Sequence, residues 1–119
     1  MFITYCILAV LYSAMLTFSG IMKVRQDPQI VQIIHDTIGV PLAYFPVLAV
    51  CEFAAALGLL AGIRWPRLGI AAAIGAVIYF IGAIISHLLV RDFAGIGGAV
   101  FMFVMATVLL VLRVKTARR

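Results

Sequence analysis

The sequence predicts an all-α membrane protein: a four-transmembrane-helix up-down-up-down bundle, with a short amphipathic outer helix between the first and second spans. Of its 119 residues, 66% are hydrophobic and only 11% charged, against roughly 45–50% apolar and 25% charged in a soluble domain. A chain this short keeps much of its surface exposed, so the apolar excess has to meet lipid. The apolar residues also fall into four runs, 2–22, 42–63, 68–90 and 93–112. Each is close to the ~20 residues that cross a bilayer at a rise of about 1.5 Å per residue. The length allows one domain, 1–119, and the links between runs are short enough to force antiparallel neighbours.

In the first run no Lys or Arg precedes the apolar stretch, and the stretch is longer than the core of a signal peptide, so it reads as a membrane span. Tyr5, Ala9, Tyr12, Leu16, Ser19 and Lys23 recur at helical spacing and form one stripe, the expected inner face. The loop that follows carries its own helix signals. Asp27-Pro28 supplies a cap and a first-turn proline, and Gly39 followed by Pro41 supplies a stop. Between them Ile30, Ile33, Ile34 and Ile38 share a face, with Gln29, Gln32, His35 and Asp36 largely opposite. The spacing predicts an amphipathic helix over 28–38, too short to span, lying on the bilayer surface or over the bundle mouth.

The second run contains Ala54, Gly58 and Gly62 at four-residue intervals, a small-residue face suited to close helix approach in lipid. Arg64-Trp65-Pro66-Arg67 links it to the third run, whose stripe is Ala72, Ala76, Phe80, Ala83 and His87. Arg91-Asp92 links the third run to the fourth, where Met102 and Met105 read as packing residues. Gly95-Ile96-Gly97-Gly98 reads as a close-packed entry to that span and not as a phosphate-cradling loop.

The net charge of +5 does not form a nucleic-acid patch. Arg64, Arg67, Arg113, Lys115, Arg118 and Arg119 would lie on one side of a four-span bundle, and Lys23, Arg25 and Arg91 on the other. Six against three places both termini in the cytoplasm of a plasma (inner) membrane protein, with Trp65 an interfacial anchor. Cys6 and Cys51 lie inside apolar runs without a CxxC motif, as small packing residues do.

The informative residues are the polar ones inside the runs. Glu52 is eight residues past Tyr44, so about 12 Å below the outer boundary. A charge at such depth costs at least about 2.5 kcal/mol unless paired or protonated. His87 and Ser19 lie about 6 Å below that boundary and Tyr12 about 16 Å. A cluster of Tyr12, Ser19, Lys23, Glu52 and His87 is therefore expected in the outer half. It could be a polar knot that fixes helix register, a ligand- or proton-handling site, or a face turned to another subunit. A metal site needs more ligands than these. Bis-histidine haem ligation would have to join His35 in the loop to His87 on a helix, and no Ser-His-Asp set is present.

In order and spacing, several segments together resemble the DoxX-like family of small four-helix membrane proteins. They are Ser19-Gly20-Ile21-Met22-Lys23, Ile38-Gly39-Val40-Pro41, Glu52 followed by Leu57-Gly58-Leu59-Leu60-Ala61-Gly62, and Gly82-Ala83 followed by His87. The resemblance implies a four-helix fold and points to Lys23, Glu52 and His87 as family-type polar positions. The name-giving members look like small subunits associated with quinone-linked respiratory oxidation.

No catalytic set closes among these residues. The expected role is a non-catalytic accessory subunit of a larger membrane complex (a transporter, for example of lipids, or a respiratory assembly), without a cofactor and in contact with membrane lipid. The alternative is a quinone- or lipid-binding membrane oxidoreductase component that uses a Glu52–His87 polar cluster. A homo-oligomer is the rival to a larger partner.

Overall fold

In the computed structural model the described residues are 2–25, 28–32, 38–39, 41–91, 93 and 96–117. They form helix α1 (Phe2–Val24), a single turn α2 (Pro28–Val31), a 3-10 turn (Leu42–Tyr44), and helices α3 (Phe45–Ala61), α4 (Pro66–Leu89) and α5 (Ile96–Ala117). The long helices make a bundle 46 Å by 25 Å by 18 Å. α1 packs most extensively on α3 and α4 on α5; α3 against α4 and α1 against α5 close the ring.

α1, α4 and α5 are long and apolar enough to cross a membrane, yet only 22–28% of each spanning window is buried inside the protein. Helices that are apolar all round and mostly uncovered require lipid as their solvent. Ile7, Leu11 and Phe18 on α1, Val47 and Leu57 on α3, and Ile78 and Leu89 on α4 belong to this outward belt. The interior holds the expected α1 stripe, with Tyr5, Ala9, Tyr12, Leu16 and Lys23 buried and Ser13 and Gly20 beside them. Ser19 is only half-buried. On α4 the buried line is Gly69, Ala73, Ala76, Phe80 and His87, with Ala72 and Ala83 on its flank.

Several boundaries differ from the sequence expectation. The run 42–63 is not one α-helix. α3 has 17 residues, with a proline in its first turn, and the 3 residues before it wind more tightly. Pro46 has no N–H to offer the preceding turn, so the regular ladder starts at Phe45. The two pieces together measure roughly 31 Å, enough for a hydrocarbon core of about 30 Å. α4 starts at Pro66 and not at residue 68, because proline is tolerated in the first turn and Trp65 is extended before it. α4 ends where Arg91 turns left-handed at φ 56°. α5 begins at Ile96 and continues to Ala117, past the 93–112 run, so Arg113 and Lys115 are helical.

Of the outer helix expected over 28–38, Pro28–Val31 is helical. Residues 33–37, with Ile33, Ile34, His35 and Asp36, lie outside the described residues, as does Asp27. Gly39 takes φ +94°, a left-handed conformation natural to glycine.

α3 ends inside the bundle, where every loose carbonyl needs a donor. The amide of Ile63 turns back to Leu60, which frees the Leu59 carbonyl to accept the Tyr5 hydroxyl at 2.9 Å. Arg113 Nε donates to the Gly62 carbonyl at 2.7 Å and Nη2 reaches the Ile63 carbonyl at 3.5 Å. The Arg113 guanidinium lies over the rings of Phe2 and Tyr5, 5.2 and 5.4 Å from their centroids. Read from sequence as a membrane-flanking charge, Arg113 is instead 4% exposed, a cation seated on the negative end of α3. The close approach is made by Gly62, where a Cβ would strike the backbone of Gly69 on α4.

Candidate functional site

Glu52 sits on the buried line Phe45, Ala49, Glu52, Ala56 and Leu59 of α3 and is 2% exposed. Its Oε1 receives two donors. Lys23 Nζ, from the last turn of α1, lies 2.6 Å away, and the Tyr79 hydroxyl, from mid-α4, 2.7 Å away. Lys23 also donates to Ser19 Oγ at 2.9 Å, one turn back on its own helix. Three helices thus meet on one carboxylate oxygen. Both charged side chains are taken out of water, 7% and 2% exposed, so each requires the other. The other oxygen, Glu52 Oε2, is buried and has no hydrogen-bond partner among the described residues.

Two cavities have Glu52 in their walls. The outer one, about 500 Å³, is walled by Ser19, Lys23, Glu52, Tyr79 and His87, with Leu48, Ala99 and Met102 among its apolar sides. The second, about 560 Å³, runs between α3 and α4 along Cys51, Ala55, Gly58, Ala72 and Gly75. Glu52, Tyr79 and Phe80 belong to both linings.

Lys23, Glu52 and Ser19 are joined directly. His87, 7% exposed, shares the outer cavity with them. Tyr12 does not hydrogen-bond to Glu52: its hydroxyl donates to the Met102 carbonyl on α5 at 2.9 Å. The stripe position that buries Tyr12 aims its ring edge-on at Phe80, 6.5 Å between centroids, and its hydroxyl past that ring to α5. The small-residue positions on α3 also divide. Gly58 lies against Ala72, whose Cβ is 2.6 Å from where a Gly58 Cβ would be, and Gly62 lies against Gly69. Ala54 is exposed, on the groove lining.

A model of one protein family matches residues 7–113, nearly the whole chain. The chain belongs to the DoxX-like family. No curated protein and no solved structure matches this DoxX-like protein.

Tyr79 is one residue of this DoxX-like protein that the sequence reading missed. A signal was present: Tyr79, Ala83 and His87 follow one another at four-residue spacing. A hydroxyl in the middle of a span also has to find a partner. Phe80 props the Tyr79 ring edge-on at 4.9 Å between centroids. Ser13 was missed as well; it donates to the Ala56 carbonyl at 3.1 Å and ties α1 to α3. The hydroxyls of Ser86 and Thr107 bond back to the carbonyls of Gly82 and Phe103 in their own helices.

Proposed function

We propose that this DoxX-like protein is a non-catalytic membrane protein that binds a lipid-soluble ligand, with the ligand's polar head held at Glu52 in the outer cavity. The observation that carries this reading is the Glu52 Oε2 atom, buried and unpartnered among the described residues, on a side chain that lines both cavities. A buried carboxylate oxygen left without a donor is costly, and a ligand donor would satisfy it. The chemistry is selective. A hydroxyl or amide N–H fits Oε2, whereas a quinone offers only acceptors and would have to be reduced to its quinol to donate. Native mass spectrometry of protein extracted in mild detergent tests the reading. The wild type retains a small non-protein component that Glu52→Leu lacks; equal contents in the two proteins would refute it.

The accessory-subunit reading is supported by a different observation. Gly75 and Gly82, two turns apart on α4, are exposed with open space around them, so a helix of a larger membrane complex, or of a second copy, could approach closely there. A stoichiometric protein companion in the same extract would favour it. Such a helix would cover the α3/α4 groove.

For orientation, both termini in the cytoplasm of the plasma membrane is the proposal. Leaving out Lys23 and Arg113, which are buried, the sequence still assigns five basic residues to that side against two on the other. A cysteine at the exposed Gln32, with Cys6 and Cys51 removed, should react with an impermeant thiol reagent on intact cells. Reaction only after lysis would reverse the orientation.

A further inference from the structure

We infer that the groove between α3 and α4 is the seat of the ligand's apolar tail, so that the ligand is a single-chain amphiphile with a neutral, hydrogen-bond-donating head that enters sideways from the lipid. This rests on the head site proposed above and adds the class of molecule and its route. Lys23 and Glu52 neutralise one another at 2.6 Å. A charged head would leave one net charge buried in a site of low dielectric, and a neutral alcohol or phenol does not. Such a head donates a hydrogen bond to Oε2, the acceptor that lacks a protein donor among the described residues.

The tail's path follows from which walls the two cavities share. The groove starts at Glu52 and Tyr79 and descends α4 through Ala72 to Leu68, roughly 16 Å at helical rise. Its α4 wall is built from small side chains, Ala71, Ala72, Gly75 and Ala76, and a Cβ at Gly75 would meet nothing within 4 Å. Ala71 and Gly75 are exposed on the lipid side. The tail therefore stays among apolar surfaces throughout, and only the head passes inward between α3 and α4. Burying an alkyl chain gains little when lipid is the competing solvent. Selection accordingly rests on the head at Glu52 and on the room the groove leaves for one chain.

The probes are two primary alcohols in bilayer nanodiscs. One is long-chain with a photoactivatable diazirine near its tail end, and the other is short-chain with the diazirine close to the hydroxyl. Crosslinked peptides are mapped by mass spectrometry. In the wild type the long-chain probe labels α4 between Leu68 and Gly75, and the short-chain probe labels the walls around Ser86 and Met102. Gly75→Phe fills the groove from its open side without touching the head site. It should cut the long-chain labelling about tenfold or more, the loss an overpacked contact brings, and leave the short-chain labelling as it was. Ala71→Leu, at a second exposed groove position, should act in the same direction. Glu52→Leu should abolish both. Long-chain labelling that survives both groove variants but not Glu52→Leu would overturn the tail assignment while leaving the head site standing. Labelling by both probes that survives Glu52→Leu would overturn the two together.

Discussion

Replacing Lys23 by methionine separates the energetic role of the buried pair from its proposed role in binding. The wild-type Glu52 Oε1 holds Lys23 Nζ at 2.6 Å and the Tyr79 hydroxyl at 2.7 Å. Lys23→Met removes the positive charge and leaves a carboxylate, 2% exposed, facing one neutral donor. Breaking a buried pair from one side costs about 3–5 kcal/mol. Protonation of the orphaned carboxyl limits the loss, and the insertion cost of a lone charge in a span, about 2.5–3.5 kcal/mol, sets a similar scale. A destabilisation of about 3 kcal/mol is expected. In Lys23→Met/Glu52→Leu no charge remains to be stranded, and apolar replacement of a whole buried pair is often neutral or stabilising. The double variant should therefore lie closer to the wild type than Lys23→Met does. Unfolding in mixed micelles against denaturing detergent, followed by circular dichroism and by the fluorescence of Trp65, the single tryptophan, measures all three proteins. A Lys23→Met variant within about 0.5 kcal/mol of wild type, the size of an ordinary surface change, would refute the reasoning. Ligand content of the folded double variant then decides the role. Retained ligand means that the cluster only fixes helix register, and lost ligand with intact stability means that it binds.

Two further predictions concern the opposite end of the bundle. Gly62→Ala should destabilise by about 1–3 kcal/mol, because the added Cβ strikes the Gly69 backbone, which cannot rotate aside as a side chain would; Gly75→Ala, in open space, should be neutral or slightly stabilising in the same detergent titration. Arg113→Met should cost about 1.5–3 kcal/mol, the scale of a hydrogen bond to a charged group, since Gly62 and Ile63 lose their donor. Arg113→Lys should recover only part of this, because an ammonium lacks the planar fork that spans two carbonyls while lying over Phe2 and Tyr5; full recovery would show that charge alone suffices.

Much of the fold was legible because lipid imposes length and periodicity on a chain. The runs 2–22 and 68–90 coincide with α1 and α4 to within a few residues, and the α1 stripe from Tyr5 to Lys23 is the buried one but for Ser19. Where the reading went astray, local backbone chemistry overrode hydropathy. Pro46 delays α3, Pro66 advances α4, and α5 carries Arg113 within its helix because the α3 terminus supplies carbonyls for it. In the site, burial and depth bring Lys23, Glu52, Ser19 and His87 to one place. The destination of a tyrosine hydroxyl is not encoded in its spacing. Tyr12 and Tyr79 are both mid-helix tyrosines packed edge-on against Phe80, yet one donates to the Met102 carbonyl and the other to Glu52.

The polar residues of the interior divide into two layers with opposite balances of donors and acceptors, and that difference singles out the candidate site. In the inner layer Ser13, Tyr5 and Arg113 each bring donors to backbone carbonyls of α3 or its terminus, at Ala56, Leu59 and Gly62. Those donors have matched acceptors, and the layer closes a helix end that lipid would otherwise penalise. In the outer layer Lys23, itself bonded to Ser19, and Tyr79 both donate to one carboxylate oxygen and leave the other, among the described residues, without a donor. A register-fixing knot gains nothing from an acceptor held dry and unmatched, since the same three helices could be tied by Oε1 alone through a neutral amide. A carboxylate has spare acceptor capacity in return for its desolvation, and here the residue that carries it lines both cavities. The inner layer is thus matched donor to acceptor, whereas the outer layer keeps one acceptor open, which is where the proposed ligand would donate.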